Sequence, residues 1–314
     1  MKVRKLGNTD LDVSILSFGA SSLGSVFRDI SEADGIRTVH EAVDAGINLI
    51  DVSPYYGLTK AETVLGKAIK DMDRSRFYLS TKAGRYGDAE FDFSAERLVR
   101  SVEESLSRLH TDYIDILYLH DIEFGSMHQI IEESIPALEQ LKRQGKIRFS
   151  GVSGLPLPVF RTVLAEAQVD SILSYCHYCL NDTTLVQLLP LLKEKGVGLV
   201  NASPLAMGLL SGKQPPAWHP ASERFVRVCK EAVDYCRSQG ADLAKLAIQF
   251  SVAHEEIPTT LVSTASPDTI RRNAAWTEEA IDQELLLRVL EMLAPIANQT
   301  WPSGRPENNK EAKP

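Results

Sequence analysis

The sequence predicts an α/β fold closed into a (β/α)8 TIM barrel, with a short N-terminal β-hairpin and an added C-terminal helix. Three observations carry this. Eight apolar runs of strand length recur along 314 residues. Segments of helical period lie between them. Ser or Thr before such segments and Gly after them supply start and stop chemistry. Strands alternating with helices imply a parallel sheet, and eight such units close most economically into a barrel. The alternative is an open doubly wound sheet binding a dinucleotide through G-x-G-x-x-G, but LSFGASSLG has the wrong spacing.

The chain opens on a hairpin, residues 3–6 and 11–13, turning at Gly7-Asn8-Thr9. The strand runs follow as SILSF, INLID, RFYLSTK, YIDILYLH, IRFSGVS, SILSY, GVGLVNAS and TTLVSTA. Among the helical segments, SEADGIRTVHEAVDAG starts at Ser31 and stops at Gly46, and FSAERLVRSVEESLSRL starts at Ser94. IEESIPALEQLKRQG stops at Gly145, and TTLVQLLPLLKEKG at Gly196. The connection 208–222, GLLSGKQPPAWHPAS, is long and rich in Pro and aromatics, as functional lids on barrels are. QELLLRVLEM is the added helix, and residues 304–314 are expected to form a disordered tail. The whole of 1–314 reads as one domain.

With 44% hydrophobic and 24% charged residues, the composition is that of a soluble globular protein. The net charge of -8 gives no general attraction to nucleic acid or anionic membrane. No run of 18 apolar residues is present, and MKVRKLGNTDLDV lacks the apolar core of a secretory signal. Cys176, Cys179, Cys229 and Cys236 are expected to be reduced thiols in the cytoplasm. Cys176 and Cys179 have the spacing of half a zinc site, but no second CxxC exists, so no metal is expected.

Asp51 and Tyr56 in NLIDVSPYYG, Lys82 in FYLSTKAG and His120 in YIDILYLHD lie just past three successive strand runs. Barrel chemistry sits at the C-terminal ends of strands, so all four face one mouth. Alone, each has a bland reading: a turn cap, a packing ring, a solvated lysine, a satisfied core histidine. Together they fill the roles of a metal-free hydride-transfer site. A phenol titrates near ~10, too high for proton transfer at neutrality. An ammonium at ~4 Å, at an effective dielectric of ~20, favours phenolate by up to ~4 kcal/mol, about three pKa units. That draws Tyr56 towards neutrality. Asp51 holds Lys82 charged and aimed, and a neutral His120 places the substrate oxygen. Tyr55 competes with Tyr56, and sequence physics does not separate adjacent tyrosines.

Substrate hydroxyls are expected to meet the loops after the strands. The candidates are Glu123, Tyr178, Trp218 and His219 beside Tyr56 and His120; each has lid packing as its alternative. The apolar face of a substrate stacks on an aromatic ring, which favours Trp218.

The quartet resembles that of the aldo-keto reductase superfamily, and the likeness runs over about residues 3–302. FGASSLGSVF, DVSPYYG, FDFSAERLVRSVEESL, LHDIEFGS, ILSYCHY, NASPLAMGLL, WHPAS and TWPSG narrow the resemblance to its NAD-dependent sugar dehydrogenases of the L-galactose dehydrogenase type. The resemblance selects Tyr56 over Tyr55 through Asp-x4-Tyr. It implies an enzyme oxidising the C1 hydroxyl of L-galactose to a lactone, a small-molecule sugar being the partner rather than nucleic acid or membrane. It also implies cofactor contacts at Gly19, Ala20, Ser21, Asp51, Ser153, Ser203, Pro204, Leu205, Gly208, Ser263, Thr264, Ser266 and Asn273.

Three positions depart from the family pattern. Gly154 follows Ser153 where the family usually has Asn. Tyr175 replaces a Gln, and Ala202 replaces an aromatic that stacks on nicotinamide. Tyr175 is read as supplying the ring that position 202 lacks, with ordinary strand packing as the alternative. NADP-using members carry Lys and Arg where Ser263 and Thr269 stand, so NAD is expected over NADP. Arg271 and Arg272 lie nearby, either for residual NADP use or as solvated helix charges. Pro267 begins a helix whose N–H groups can receive the cofactor's phosphate end. Other readings are an L-fucose or D-arabinose type aldose 1-dehydrogenase, a general aldehyde reductase, a non-enzymatic cofactor-binding subunit and a metal-dependent hydrolase. The last lacks H-x-H or H-x3-H ligand pairs.

Overall fold

The computed structural model describes residues 1–310. Strands β1 (Val3–Lys5) and β2 (Asp12–Ser14) form the antiparallel hairpin. The barrel strands are β3 (Leu16–Gly19), β4 (Leu49–Asp51), β5 (Tyr78–Ala83), β6 (Ile114–Leu119), β7 (Ile147–Gly154), β8 (Ser171–Tyr175), β9 (Gly198–Ala202) and β10 (Thr259–Ser263). Each pairs in parallel with its neighbour, and β10 closes on β3 with Ser263 opposite Gly19. All eight expected strand runs are present.

Around them lie α1 (Glu32–Asp44), α2 (Lys60–Ile69), α3 (Ala95–Leu109), α4 (Met127–Gln129), α5 (Ile135–Arg143), α6 (Leu157–Glu166), α7 (Leu189–Lys195), α8 (Glu223–Ser238), α9 (Leu243–Ala253), α10 (Pro267–Trp276) and the added α11 (Gln283–Leu293). The starts follow their caps: Ser31 accepts from Asp34 N and Ser94 from Arg97 N. A π-helical stretch, Ile130–Ser134, joins α4 to α5. Among the described residues no helix is long and apolar enough to cross a membrane.

The hairpin plugs the N-terminal end of the barrel. Leu6, Leu11 and Val13 join Leu49, Ile116, Tyr118, Leu173 and Val200 in one interior cluster. Fully burying such a side chain contributes about 1.5–3 kcal/mol, so this layer fills the lower barrel and leaves its polar groups to the opposite end. Gly151 makes room for the Tyr118 ring, since a Cβ there would lie 2.5 Å from it. Gly196, at φ +68°, ends α7 and lets the hairpin dock: a Cβ would lie 1.9 Å from Asn8 Nδ2.

The C-terminal segment corrects one expectation. Residues from 304 to 309 are folded, with a 3-10 turn at Pro306–Asn309 and Asn308 buried. Arg305 N and Asn308 Nδ2 donate to Glu123 O at 2.9 and 2.8 Å. A polar sequence is ordered here because the β6 loop offers carbonyls to it. The rest of the expected tail, 311–314, lies outside the described residues.

Candidate active site

Asp51 is the last residue of β4, Lys82 lies one residue before the end of β5, and His120 follows β6 directly. Tyr56 sits in the turn after β4, and close packing holds that turn. Gly24 and Gly57 abut so tightly that a Cβ on Gly57 would lie 2.1 Å from Gly24 O, and one on Gly24 2.5 Å from Tyr56 O. Gly57, Leu58 and Thr59 all adopt left-handed backbone, turning the chain into α2.

Lys82 and Asp51 are each 2% exposed. The ammonium pairs with both carboxylate oxygens of Asp51 and donates to Val52 O at 2.9 Å. Its Nζ lies 5.0 Å from the centre of the Tyr56 ring. The Tyr56 and His120 rings meet edge to face at 5.6 Å. The Tyr55 hydroxyl instead donates to Asp88 at 2.8 Å, and burial pushes its pKa up to about 12.

His120 Nδ1 lies 2.9 Å from Ser53 Oγ, which also accepts from Tyr55 N at 3.1 Å. Nδ1 is the one side-chain acceptor within reach of the Ser53 hydroxyl among the described residues, and with Ser53 donating to it the ring proton is assigned to Nε2. Burial, followed by the cations Lys82 and Arg85, holds His120 well below its ordinary pKa, so the ring is neutral near pH 7.

The expected lowering of the Tyr56 pKa is not present in the protein alone. Burial raises it above the ordinary phenol value; Lys82 opposes that, while Asp51 and Asp121 add to it. Asp51 neutralises much of the ammonium's field at the phenol. At Lys82, burial opposes the charge, and Asp51 and Tyr56 together outweigh it.

Three groups were missed in the sequence: Ser53, Arg85 and Asp121. Asp121, next to His120, is 4% exposed, and its Oδ2 accepts from Arg85 Nη1 at 2.6 Å. The Asp directly after His in LHD was the available signal.

The expected cofactor residues lie at or just past the ends of β3, β4, β7, β8, β9 and β10 and on α10. Gly19 stands in register between Asp51 and Ser263, with Ala20 buried beneath it. Ser263 Oγ lies 2.8 Å from Ser21 Oγ. Thr264 Oγ1 accepts from Ser266 N at 3.1 Å, and Ser266 caps α10 on Thr269 N. Asn273 is buried on α10. Ser153 Oγ accepts from Asp121 N and donates to Leu119 O, both at 3.3 Å. The turn after β9 carries Ser203, Pro204, Leu205 and Gly208, with left-handed backbone at Ser203 and Gly208. Tyr175 is the register partner of Ala202 on the adjacent strand. Beside the α10 start lies a cleft of about 600 Å³ that includes Ser266, Asp268, Glu41 and Arg271. Arg271 is paired with Glu41 and Asp268, and Arg272 lies over Trp276.

Two expected substrate residues lie elsewhere. The Tyr178 ring stacks on Phe250 of α9 at 5.3 Å and meets His254 edge-on, packing outside the strand wall. Glu123 is fully buried; its Oε1 accepts from Leu155 N at 3.2 Å and Ser303 Oγ at 2.8 Å. It seats the C-terminal segment through Ser303, and its Oε2 is buried without a hydrogen-bond partner. Trp218 is half exposed with its ring 5.9 Å from Phe27, and His219 packs on Trp301 at 5.2 Å. These two tie the long loop to its neighbours.

Cys176, Cys179, Cys229 and Cys236 are free and buried. Among the described residues no group of three His, Cys, Asp or Glu is placed to hold a metal.

A closed eight-stranded barrel with Asp51, Tyr56, Lys82 and His120 at one mouth defines an oxidoreductase of known type: the chain belongs to the aldo/keto reductase family, matched over residues 15–293. Within it, the chain is 51% identical to an L-galactose dehydrogenase from Arabidopsis thaliana over 98% of its own length and 99% of the relative's. It is 35% identical to a D-arabinose 1-dehydrogenase from Saccharomyces cerevisiae, covering 77% of this chain and 76% of that one. The fold is similar to that of an aldo-keto reductase from Bacillus halodurans in its holo form, with a TM-score of 0.78 and 29% identity, covering 99% and 100% of the two chains. It is thus an oxidoreductase of a family that uses a nicotinamide cofactor and takes small-molecule substrates.

Proposed function

We propose that the protein is an NAD-dependent dehydrogenase oxidising the C1 hydroxyl of L-galactose to L-galactonolactone. The observation that carries this is the buried Asp51–Lys82 pair beside Tyr56, facing a neutral His120, in a chain 51% identical to an L-galactose dehydrogenase. His120 Nε2–H and the Tyr56 oxygen hold the substrate hydroxyl. Tyr56 takes its proton as C1 gives up its hydrogen with both electrons. Lys82 stabilises the phenolate from which Tyr56 acts, and Asp51 keeps Lys82 charged and aimed.

The donor set fits a nicotinamide dinucleotide. The Ser153 hydroxyl, the Tyr175 ring and the turn at Ser203, Pro204 and Leu205 flank the mouth, while Ser263, Thr264, Ser266 and Asn273 frame the α10 start. When bound, the cofactor supplies the hydride acceptor. NAD is preferred over NADP because Ser263 and Thr269 provide no cation for a 2′-phosphate and Arg271 is engaged by Glu41 and Asp268. Trp218 and His219 stand at the rim as substrate-side contacts. The four buried free thiols fit a reducing compartment, and we infer the cytoplasm.

A second reading, a related aldose 1-dehydrogenase, is favoured by the 35% identity to a D-arabinose 1-dehydrogenase. NADH formation with L-galactose, L-fucose, D-arabinose and D-galactose separates them. L-Galactose gives the highest kcat/KM, and Tyr56→Phe lowers it by about 10²–10⁴-fold. No turnover of L-galactose, or unchanged turnover in Tyr56→Phe, defeats the proposal.

A further inference from the structure

Beside the reacting centre lies a charged pair that the mechanism above leaves unused. Asp121 follows His120 and adopts φ +54°, a backbone region in which a non-glycine residue is strained and which clusters at functional sites. That turn brings Asp121 Oδ2 to 3.7 Å from His120 Nε2, and the same oxygen holds Arg85 Nη1 at 2.6 Å. The Arg85 guanidinium is caged by the rings of Tyr55 at 3.9 Å, Phe91 at 5.3 Å and Phe124 at 5.4 Å. Phe91 and Phe124 stack on each other at 4.3 Å, so the cage is itself fixed. Among the described residues, Asp121 Oδ1 and Arg85 Nη2 have no hydrogen-bond partner. A desolvated ion pair contributes little to stability on its own account. A rigid acceptor beside a rigid donor does, however, position a hydroxyl.

We propose that Asp121 and Arg85 form a specificity clamp for the hydroxyl on the carbon next to the reacting one. The site then selects neutral substrates that carry an α-hydroxyl. An oxygen held by His120 Nε2 at about 3 Å leaves the Asp121 carboxylate one substituent away along the substrate. A hydroxyl there donates to Asp121 and accepts from Arg85. A methylene does neither and leaves both polar groups desolvated and unpaired. The charges of Asp121 and Arg85 cancel, as do those of Asp51 and Lys82, so the mouth suits a polyol better than an acid or an amine. The clamp deepens the proposed function and rests on its placing of the reacting oxygen between Tyr56 and His120.

The test has two arms that read the clamp separately from the sugar assignment. One compares oxidation of L-galactose and 2-deoxy-L-galactose with NAD; the other compares reduction of lactaldehyde and propionaldehyde with NADH. The partners in each pair differ only in the α-hydroxyl. The wild-type protein prefers the hydroxylated partner by about 50-fold or more in kcat/KM. In Asp121→Asn and Arg85→Met the preference falls to about 5-fold or less, the loss on the hydroxylated partner exceeding any loss on the other, which reads the change at His120 and Tyr56 common to both. Arg85→Lys, which keeps the charge without the fork, falls between them and carries the test if the other variants lose their thermal transition or their NADH binding. A wild-type ratio near one, or a preference retained in all the variants, overturns the clamp. An intact aldehyde preference without sugar oxidation overturns the L-galactose reading and leaves the clamp standing. No turnover in either arm by protein that binds NADH overturns both.

Discussion

Ser53 Oγ lies 2.9 Å from His120 Nδ1 and is pinned by the Tyr55 N–H at 3.1 Å. Ser53 is thus a positioning residue for His120. Its hydroxyl has one proton, and Nδ1 is the acceptor that receives it, which leaves Nε2 as the donor at the mouth. Ser53→Ala removes that choice and strands the Tyr55 N–H. A hydrogen bond of about 1 kcal/mol predicts a fall of roughly 5–10-fold in kcat/KM. Steady-state kinetics check it, with NADH binding unchanged. Ring nitrogen NMR shifts would show a mixture of tautomers, and wild-type shifts in the variant would remove Ser53 from the argument.

The pH dependence follows from Tyr56 and His120 in opposite senses. Tyr56 is raised by burial, and oxidation needs its deprotonated form, so oxidation speeds up with rising pH. Reduction needs the protonated phenol and is flat until the phenol titrates, then falls. His120 is held well below its ordinary value and contributes no inflection near neutrality. Profiles of kcat/KM between about pH 6 and pH 10 check both signs. An oxidation rate that falls across this window would contradict the Tyr56 assignment.

The strands and the Asp51, Tyr56, Lys82 and His120 positions were legible because each lies at the end of an apolar run of clear length. The misplaced residues share one cause. Asp121 at φ +54° stands two residues before Glu123, and Cys176 at φ +63° stands two before Tyr178. A left-handed residue turns the chain out of its extended course, and no hydrophobic period records it. Arg85 was invisible as a partner of Asp121 because 36 residues separate them. Residue chemistry alone did not separate Tyr55 from Tyr56; the family resemblance chose Tyr56, and the Tyr55 hydroxyl is taken by Asp88.

Glu123 links pH to stability. Burial first, then the negative charge of Asp121, raise its pKa from 4.5 to about 8. The folded state therefore binds more protons than the unfolded one between those values, and stability is lost as pH rises from the lower to the higher. Leu155 N and Ser303 Oγ donate to this carboxyl, and the 3-10 turn at Pro306–Asn309 docks on the backbone carbonyl of the same residue, so the C-terminal segment is the part that loosens. Glu123→Gln keeps the shape without the charge. Its Tm falls less than that of the wild-type protein between about pH 5 and pH 9, the gap being roughly 2–4 °C for each kcal/mol recovered. Parallel Tm curves for the two proteins would exclude a titrating Glu123.

Tyr175 and Ala202 face each other across β8 and β9 as register partners, which makes the proposed exchange of an aromatic ring between strands testable. Because the two positions are adjacent at the strand ends, a ring carried by either one would serve a bound nicotinamide from the same part of the mouth. Aromatic contact contributes about 0.5–1.5 kcal/mol beyond burial, and Tyr175→Ala is expected to weaken NADH binding by roughly 3–10-fold. Its effect on kcat should be larger than on sugar KM, because the ring orients the cofactor rather than the sugar. The stronger test is rescue: Tyr175→Ala combined with Ala202→Tyr returns the ring from the neighbouring strand and restores NADH affinity to within about 3-fold of the wild-type value. Fluorescence titration of NADH measures both. Unchanged affinity in the single variant would reduce Tyr175 to strand packing; weakened affinity without rescue would keep its contact but defeat the exchange.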